Sequence, residues 1–93
     1  MSVAIENSET TILSRVIEPR RGTWSKDAAE SILKLDFPAS DIRRMNALAA
    51  KARQGGLTAD EEADLESYRG VGRLLELLQS KARLSLKRLA SRS

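Results

Sequence analysis

The chain contains no cysteine and no histidine. The first absence excludes disulfides and thiolate metal sites. The second removes the commonest metal ligand and the commonest general base at neutral pH. Aromatic residues are scarce as well, with one Trp, one Tyr and one Phe among 93 residues. A core must therefore be assembled mainly from aliphatic side chains, in a chain short enough to bury only a modest fraction of its surface. Association with a second chain is a natural source of further burial. No apolar run approaches the ~20 residues needed to span a bilayer. The opening residues, MSVAIENSET, lack the basic region and apolar core of a secretory signal, so the expected location is the cytoplasm. The formal net charge of +3 is mildly basic and does not by itself imply nucleic acid.

What the chain does have is helical periodicity. From Thr58 to about Ala90 the apolar positions step by three and four: Leu65, Tyr68, Val71, Leu75, Leu78, Ala82. Leu74, Leu77, Leu84, Leu86 and Leu89 widen this stripe, which needs a cover. Thr58 followed by Glu61 reads as a capping box. Acidic residues crowd the first turns and Lys81, Arg83, Lys87, Arg88 and Arg92 crowd the end, an arrangement that suits the helix macrodipole. Gly70 and Gly72 interrupt the run. They mark either close packing of another helix or a break, and because the apolar phase continues across them we expect one helix, straight or bent.

Three shorter helices precede it. Residues 9–18 carry Ile12, Leu13, Val16 and Ile17 with helical spacing behind a Ser8 cap. Their β-branched content also suits a strand, but no second strand exists to pair with it. Residues 18–23 (EPRRGT) read as a turn. Residues 26–35 follow a Ser25 cap and place Ala28, Ala29, Ile32 and Leu33 on one face, with Leu35 at its edge. Trp24 stands where it could pack back on Ala29 or Leu33 as a staple, or anchor a partner. Residues 39–53 begin at Pro38 or Ser40, present Ile42, Met45, Leu48, Ala49 and Ala52 inward, and end at Gly55–Gly56. The short link to Thr58 makes this helix an antiparallel neighbour of the long one. The expected architecture is all-α: a single domain over 1–93, with short helices at about 9–18, 26–35 and 39–53 on a long helix at about 59–90. Residues 1–7 and 91–93 are expected to be flexible. On these lengths the end of the long helix, about 78–93, should project with Leu84, Leu86 and Leu89 partly uncovered.

Chemistry has few footholds. Asp60, Glu61, Glu62, Asp64 and Glu66 are spaced as a solvated first turn rather than as carboxylates held in a cleft. Ser80 has no activating base, and neither glycine pair follows a strand as a phosphate-cradling loop would. We expect no catalytic residue, no cofactor and no metal. Two binding readings remain. In the first, Leu74, Leu77, Leu78, Leu84 and Leu86 anchor a protein partner while Lys81, Arg83, Lys87 and Arg88 set register. In the second, residues 26–53 form a helix-turn-helix-like pair with Arg43 and Arg44 on DNA, although Asp36 and Asp41 flank the turn with the wrong sign for phosphate. Self-association through the same leucine stripe is a third possibility. The basic end separates its faces too poorly for a membrane-surface helix.

The strings ILSRVIEP (12–19), LKLDFPASDIRRMNALAAKARQGGLTADEEADLESY (33–68) and VGRLLELLQSKARLSLKR (71–88) resemble a family of small, uncharacterised bacterial proteins. The LLQSKARLSLK string at Leu77–Lys87 is the most specific part of that likeness. Gly56 stands where the family turn usually has Thr. Members of the family are often encoded beside a small HNH-type nuclease. The resemblance thus implies an antitoxin-like or accessory protein with a nuclease partner, and it carries no active site.

Overall fold

The computed structural model describes residues 8–17 and 22–91. The expectations for residues 1–7, for most of the 18–23 turn and for 92–93 lie outside them. Among the described residues there are four α-helices and no strand. They are α1 (Glu9–Val16), α2 (Lys26–Leu33), α3 (Ala39–Arg53) and α4 (Ala59–Ser91). The all-α architecture of three short helices on one long helix is as the periodicity predicts. Ser8 and Ser25 cap α1 and α2 by accepting the N–H of Thr11 and of Ala28, each at 3.2 Å. Both helices end two residues short of the expected position. A proline follows α1 in the sequence and cannot extend it. The last turn of α2 tightens instead, with the N–H of Lys34 on the Ser31 carbonyl and that of Leu35 on the Ile32 carbonyl. Pro38, rather than Ser40, caps α3, and it does so without a side-chain bond.

The packing falls into two compact units, and α4 runs through both. Unit one comprises residues 1–35 and 73–93, and unit two residues 36–72. In unit two, α3 lies antiparallel to the first half of α4. Asp41 is tied to Tyr68, Arg44 to Asp64 and Lys51 to Glu61, so rising numbers on α3 meet falling numbers on α4. Leu48 and Leu65 are the buried residues of this pair. The turn between them is closed by backbone geometry. Gly55 takes φ +70°, and the N–H groups of Gly55 and Gly56 return to the carbonyls of Ala52 and Lys51. This is a Schellman ending, which needs a residue without Cβ at the left-handed position. The capping box follows as expected: the Thr58 N–H donates to Glu61 Oε1 at 3.0 Å, and the Glu61 N–H donates to Thr58 Oγ1 at 3.1 Å. The second Glu61 oxygen accepts Lys51 Nζ at 2.6 Å. Lys51 first, then the Thr58 N–H, hold the Glu61 carboxyl below the usual carboxylate range.

Several apolar residues are left exposed, among them Ile42 of α3 and Val71 of α4, which were expected to face inward. Ile12 and Val16 of α1 and Leu35 beyond α2 are exposed as well. The helix passes Gly72 unbroken. A Cβ at Gly72 would meet nothing within 4 Å, so close packing does not explain that glycine.

Two measurements follow from these local geometries. Gly72→Ala should raise stability by about 1 kcal/mol, the ordinary helix-interior difference, read as a higher urea midpoint at unchanged slope. For Glu61, a pKa lowered in the folded state contributes stability that is present above the unfolded value and lost as pH falls through the folded one. Glu61→Gln should therefore lower the urea midpoint at neutral pH, and the gap from the unaltered protein should narrow as pH falls below the ordinary carboxylate range.

Candidate functional site

Unit one is where the second half of α4 meets α1, α2 and the segment 22–25, and here polar side chains are packed inside. Ala29 and Ala82 are fully covered, Ser85 is 2% exposed and Lys81 is 8% exposed. Residues 78, 82, 85 and 89 repeat at steps of three and four, so Ser85 lies in the apolar stripe itself. Its hydroxyl accepts the Trp24 N–H at 3.0 Å. One turn earlier, Lys81 Nζ donates to the Gly22 carbonyl at 2.8 Å. The same ammonium stands 5.6 Å from the centroid of the Trp24 ring, within cation–π reach. Gln79 turns toward α2, and its amide donates to the carbonyls of Ile32 at 3.2 Å and Leu35 at 2.9 Å. The Ile32 carbonyl, in the last turn of α2, also accepts the Leu35 N–H, and the Leu35 carbonyl lies just beyond the helix.

The side of α4 toward α1 is different. Leu77, Ser80, Lys81 and Leu84 share one face at helical spacing, and with Ser14 and Ile17 of α1 they line an open, mainly apolar groove of about 180 Å³. On the same short helix, Ile12 is 44% and Val16 62% exposed. Next to the groove α4 is solvated: Arg83 Nη2 reaches Glu76 Oε2 at 3.3 Å and Ser80 Oγ at 3.2 Å. Such an exposed pair is worth little.

The nine residues expected to meet a partner are thus dispersed. Leu77, Lys81 and Leu84 come together in the groove. Leu74, Leu78 and Leu86 are half-buried, while Arg83, Lys87 and Arg88 are exposed. The end of α4 does not project as expected, since residues 73–91 are part of unit one and Lys81, Ala82 and Ser85 are buried there, but Leu84, Leu86 and Leu89 are only partly covered, as expected. Lys81 is turned inward, on a carbonyl and a ring of its own chain. Of the pair assigned to DNA, Arg43 is exposed and Arg44 binds Asp64 at 3.0 Å. Helix α2 falls in unit one and α3 in unit two. Sequence reasoning missed the contribution of Ser14 and Ile17 to the groove, and the internal roles of Gln79 and Ser85. A serine inside a leucine stripe was the visible signal for the latter, because a buried hydroxyl needs a partner.

The carboxylates are placed as caps and ties. Glu61 closes the start of α4, and Asp41 accepts the Tyr68 hydroxyl at 2.7 Å. That bond, with burial, pushes the Tyr68 phenol up. Among the described residues, no group of three or more acidic side chains could hold a metal ion, and no helix is long and apolar enough to cross a membrane.

Ser85→Ala should lower stability by roughly 1–3 kcal/mol, the cost of leaving a part-buried N–H without its acceptor. Ser80→Ala, on the solvated edge of the same helix, should change it by less than about 0.5 kcal/mol. Thermal unfolding followed by circular dichroism measures both, and equal effects would refute the internal role of Ser85.

No protein-family model, curated protein or solved structure matches this chain.

Proposed function

We propose that this chain is a non-catalytic protein-interaction module, and that it docks a partner protein on the α1/α4 face of unit one. One observation carries the reading. An open groove walled by Ile17, Leu77 and Leu84 sits beside a helix whose Ile12 and Val16 stand in solvent. Exposed apolar surface of this kind on a small protein marks an interaction site. The groove is the size of a few side chains, which suits anchors from a protein surface rather than a sizeable metabolite. Its edge carries exposed Lys87 and Arg88 one turn beyond the apolar wall, so a partner with acidic groups around an apolar anchor is favoured.

The partner named by the family resemblance is a small HNH-type nuclease, which makes the module antitoxin-like or accessory. In this reading Leu77 and Leu84 receive the anchor, Ile12 and Val16 extend the contact, and the partly covered leucines at 74, 78 and 86 serve the fold beneath. The DNA-binding alternative on Arg43 and Arg44 gains no comparable support, since one of the two arginines is already paired.

The test is light scattering during size exclusion on the purified chain mixed with a small HNH-type nuclease of the kind the resemblance implies. A defined complex is expected. Ile12→Asp with Val16→Asp should weaken it on the order of 100-fold, from two half-exposed side chains worth about 1.5 kcal/mol each when buried. Both positions are exposed, so the variant should keep its helical circular dichroism. A folded double variant that binds as tightly as the unaltered chain would sink the assignment of this face.

A further inference from the structure

The two units differ in charge as well as in composition. Unit one holds 11 Lys and Arg against 6 Asp and Glu, a net of +5; unit two holds 5 against 7, a net of −2. Each unit also leaves large apolar side chains in solvent: Ile12, Val16 and Leu35 in unit one, Ile42 and Val71 in unit two. From this pairing we propose that unit two of a second copy of the chain covers the α1/α4 face of unit one. The inference rests on the reading of that face as an interaction surface, and it names an occupant for it when no other partner is present.

The surface offered by unit two is an open cleft of about 240 Å³ lined by Phe37, Asp41, Asp64, Ser67, Tyr68 and Val71. Phe37 and Tyr68 meet edge to face, with centroids 6.0 Å apart, and form a rigid aromatic wall. Val71 is 50% exposed at its lip. Asp41 accepts the Tyr68 hydroxyl at one oxygen, and Asp64 accepts Arg44 at one oxygen. The second oxygen of each carboxylate has no partner among the described residues. An apolar lip beside two half-used carboxylates fits an apolar anchor beside a cation. Unit one presents that combination. Val16 is its most exposed large apolar side chain. Arg88 lies four residues beyond Leu84 and seven beyond Lys81, so it continues the groove face toward the end of α4. Lys87 does the same beyond Ser80. Two copies meeting unit one to unit one would oppose net charges of the same sign. Meeting unit one to unit two, they oppose opposite signs, and the association should weaken as salt rises.

The test uses the full chain and two variants at exposed positions. Val16→Asp places an acid against the acidic cleft, and Val71→Lys places a base against the basic face. Light scattering at up to roughly 1 mM protein should show the unaltered chain heavier than one copy at low salt and lighter in high salt. Each variant alone should associate at least tenfold more weakly while keeping its helical circular dichroism. Mixed together, the two variants should associate again, because the intact face of one meets the intact cleft of the other. An unaltered chain that stays monomeric overturns the proposal, as does a mixture that stays monomeric. So does a Val71→Lys variant that associates normally, since unit one would then be covered by something other than unit two. These failures differ from failure of the function proposed above, which shows as the lack of a nuclease complex whatever the mass of the chain alone.

Discussion

Unit one depends on a small set of long-range polar bonds, most of them part-buried. Gln79, Lys81 and Ser85 project from the second half of α4 and hold the backbone of residues 22–35 at the Leu35 and Ile32 carbonyls, the Gly22 carbonyl and the Trp24 N–H. A core made of alanines and half-covered leucines has weak preferences about register, because aliphatic contacts are not directional. A part-buried N–H or carbonyl left without its partner costs on the order of 1–3 kcal/mol, so each of these bonds penalises a slipped arrangement. The leucines supply burial, and the polar side chains fix where that burial happens. The LLQSKARLSLK string is therefore chiefly a record of how α4 grips the rest of unit one, with Leu77 and Leu84 left over on the groove side.

Unit two solves the same problem at a turn. Glu61 uses one oxygen to cap α4 and the other to receive Lys51 from the end of α3. A single side chain thereby joins a helix start to a helix end. The acid sits at the positive end of α4 and the base at the negative end of α3, so the bond agrees with both dipoles. Arg44–Asp64 and Tyr68–Asp41 then repeat the tie further along the pair.

These two devices differ in how readable they are from the sequence. The turn of unit two is local: Gly55–Gly56, Thr58 and Glu61 lie within seven residues, and each has a stereochemical reason for its place. It could be read directly, as could the span of α3. The grip of unit one is not local. Lys81 and Gly22 are 59 residues apart, and Trp24 and Ser85 are 61 apart. A lysine in the sequence reads as a surface residue by default, and the sequence does not show the distant carbonyl and indole that help make its burial tolerable. The direction of α1 was equally hidden. Its eight residues and their C-cap carry two apolar edges, Ile12 with Val16 and Leu13 with Ile17, and periodicity shows that edges exist without showing which one the fold will cover.

The inward turn of Lys81 also shapes what the groove can do. Had it faced solvent, it would have been the central cation of the α1/α4 face. Bound to Gly22 and stacked near Trp24, it is part of the groove wall, and its charge reaches a docked group only from within a largely apolar surface. Freely placed positive charge is displaced toward Lys87 and Arg88 at the end of the helix. An occupant is then read in two parts: its apolar anchor by the groove, and its acids a turn or more away. The acidic, aromatic cleft of unit two carries the matching elements in one place, with Val71 as anchor and Asp41 and Asp64 as acids. A partner competing for the face would need to offer the same pair. Any such competitor would meet a surface whose affinity depends on ionic strength through its rim and on shape through its floor.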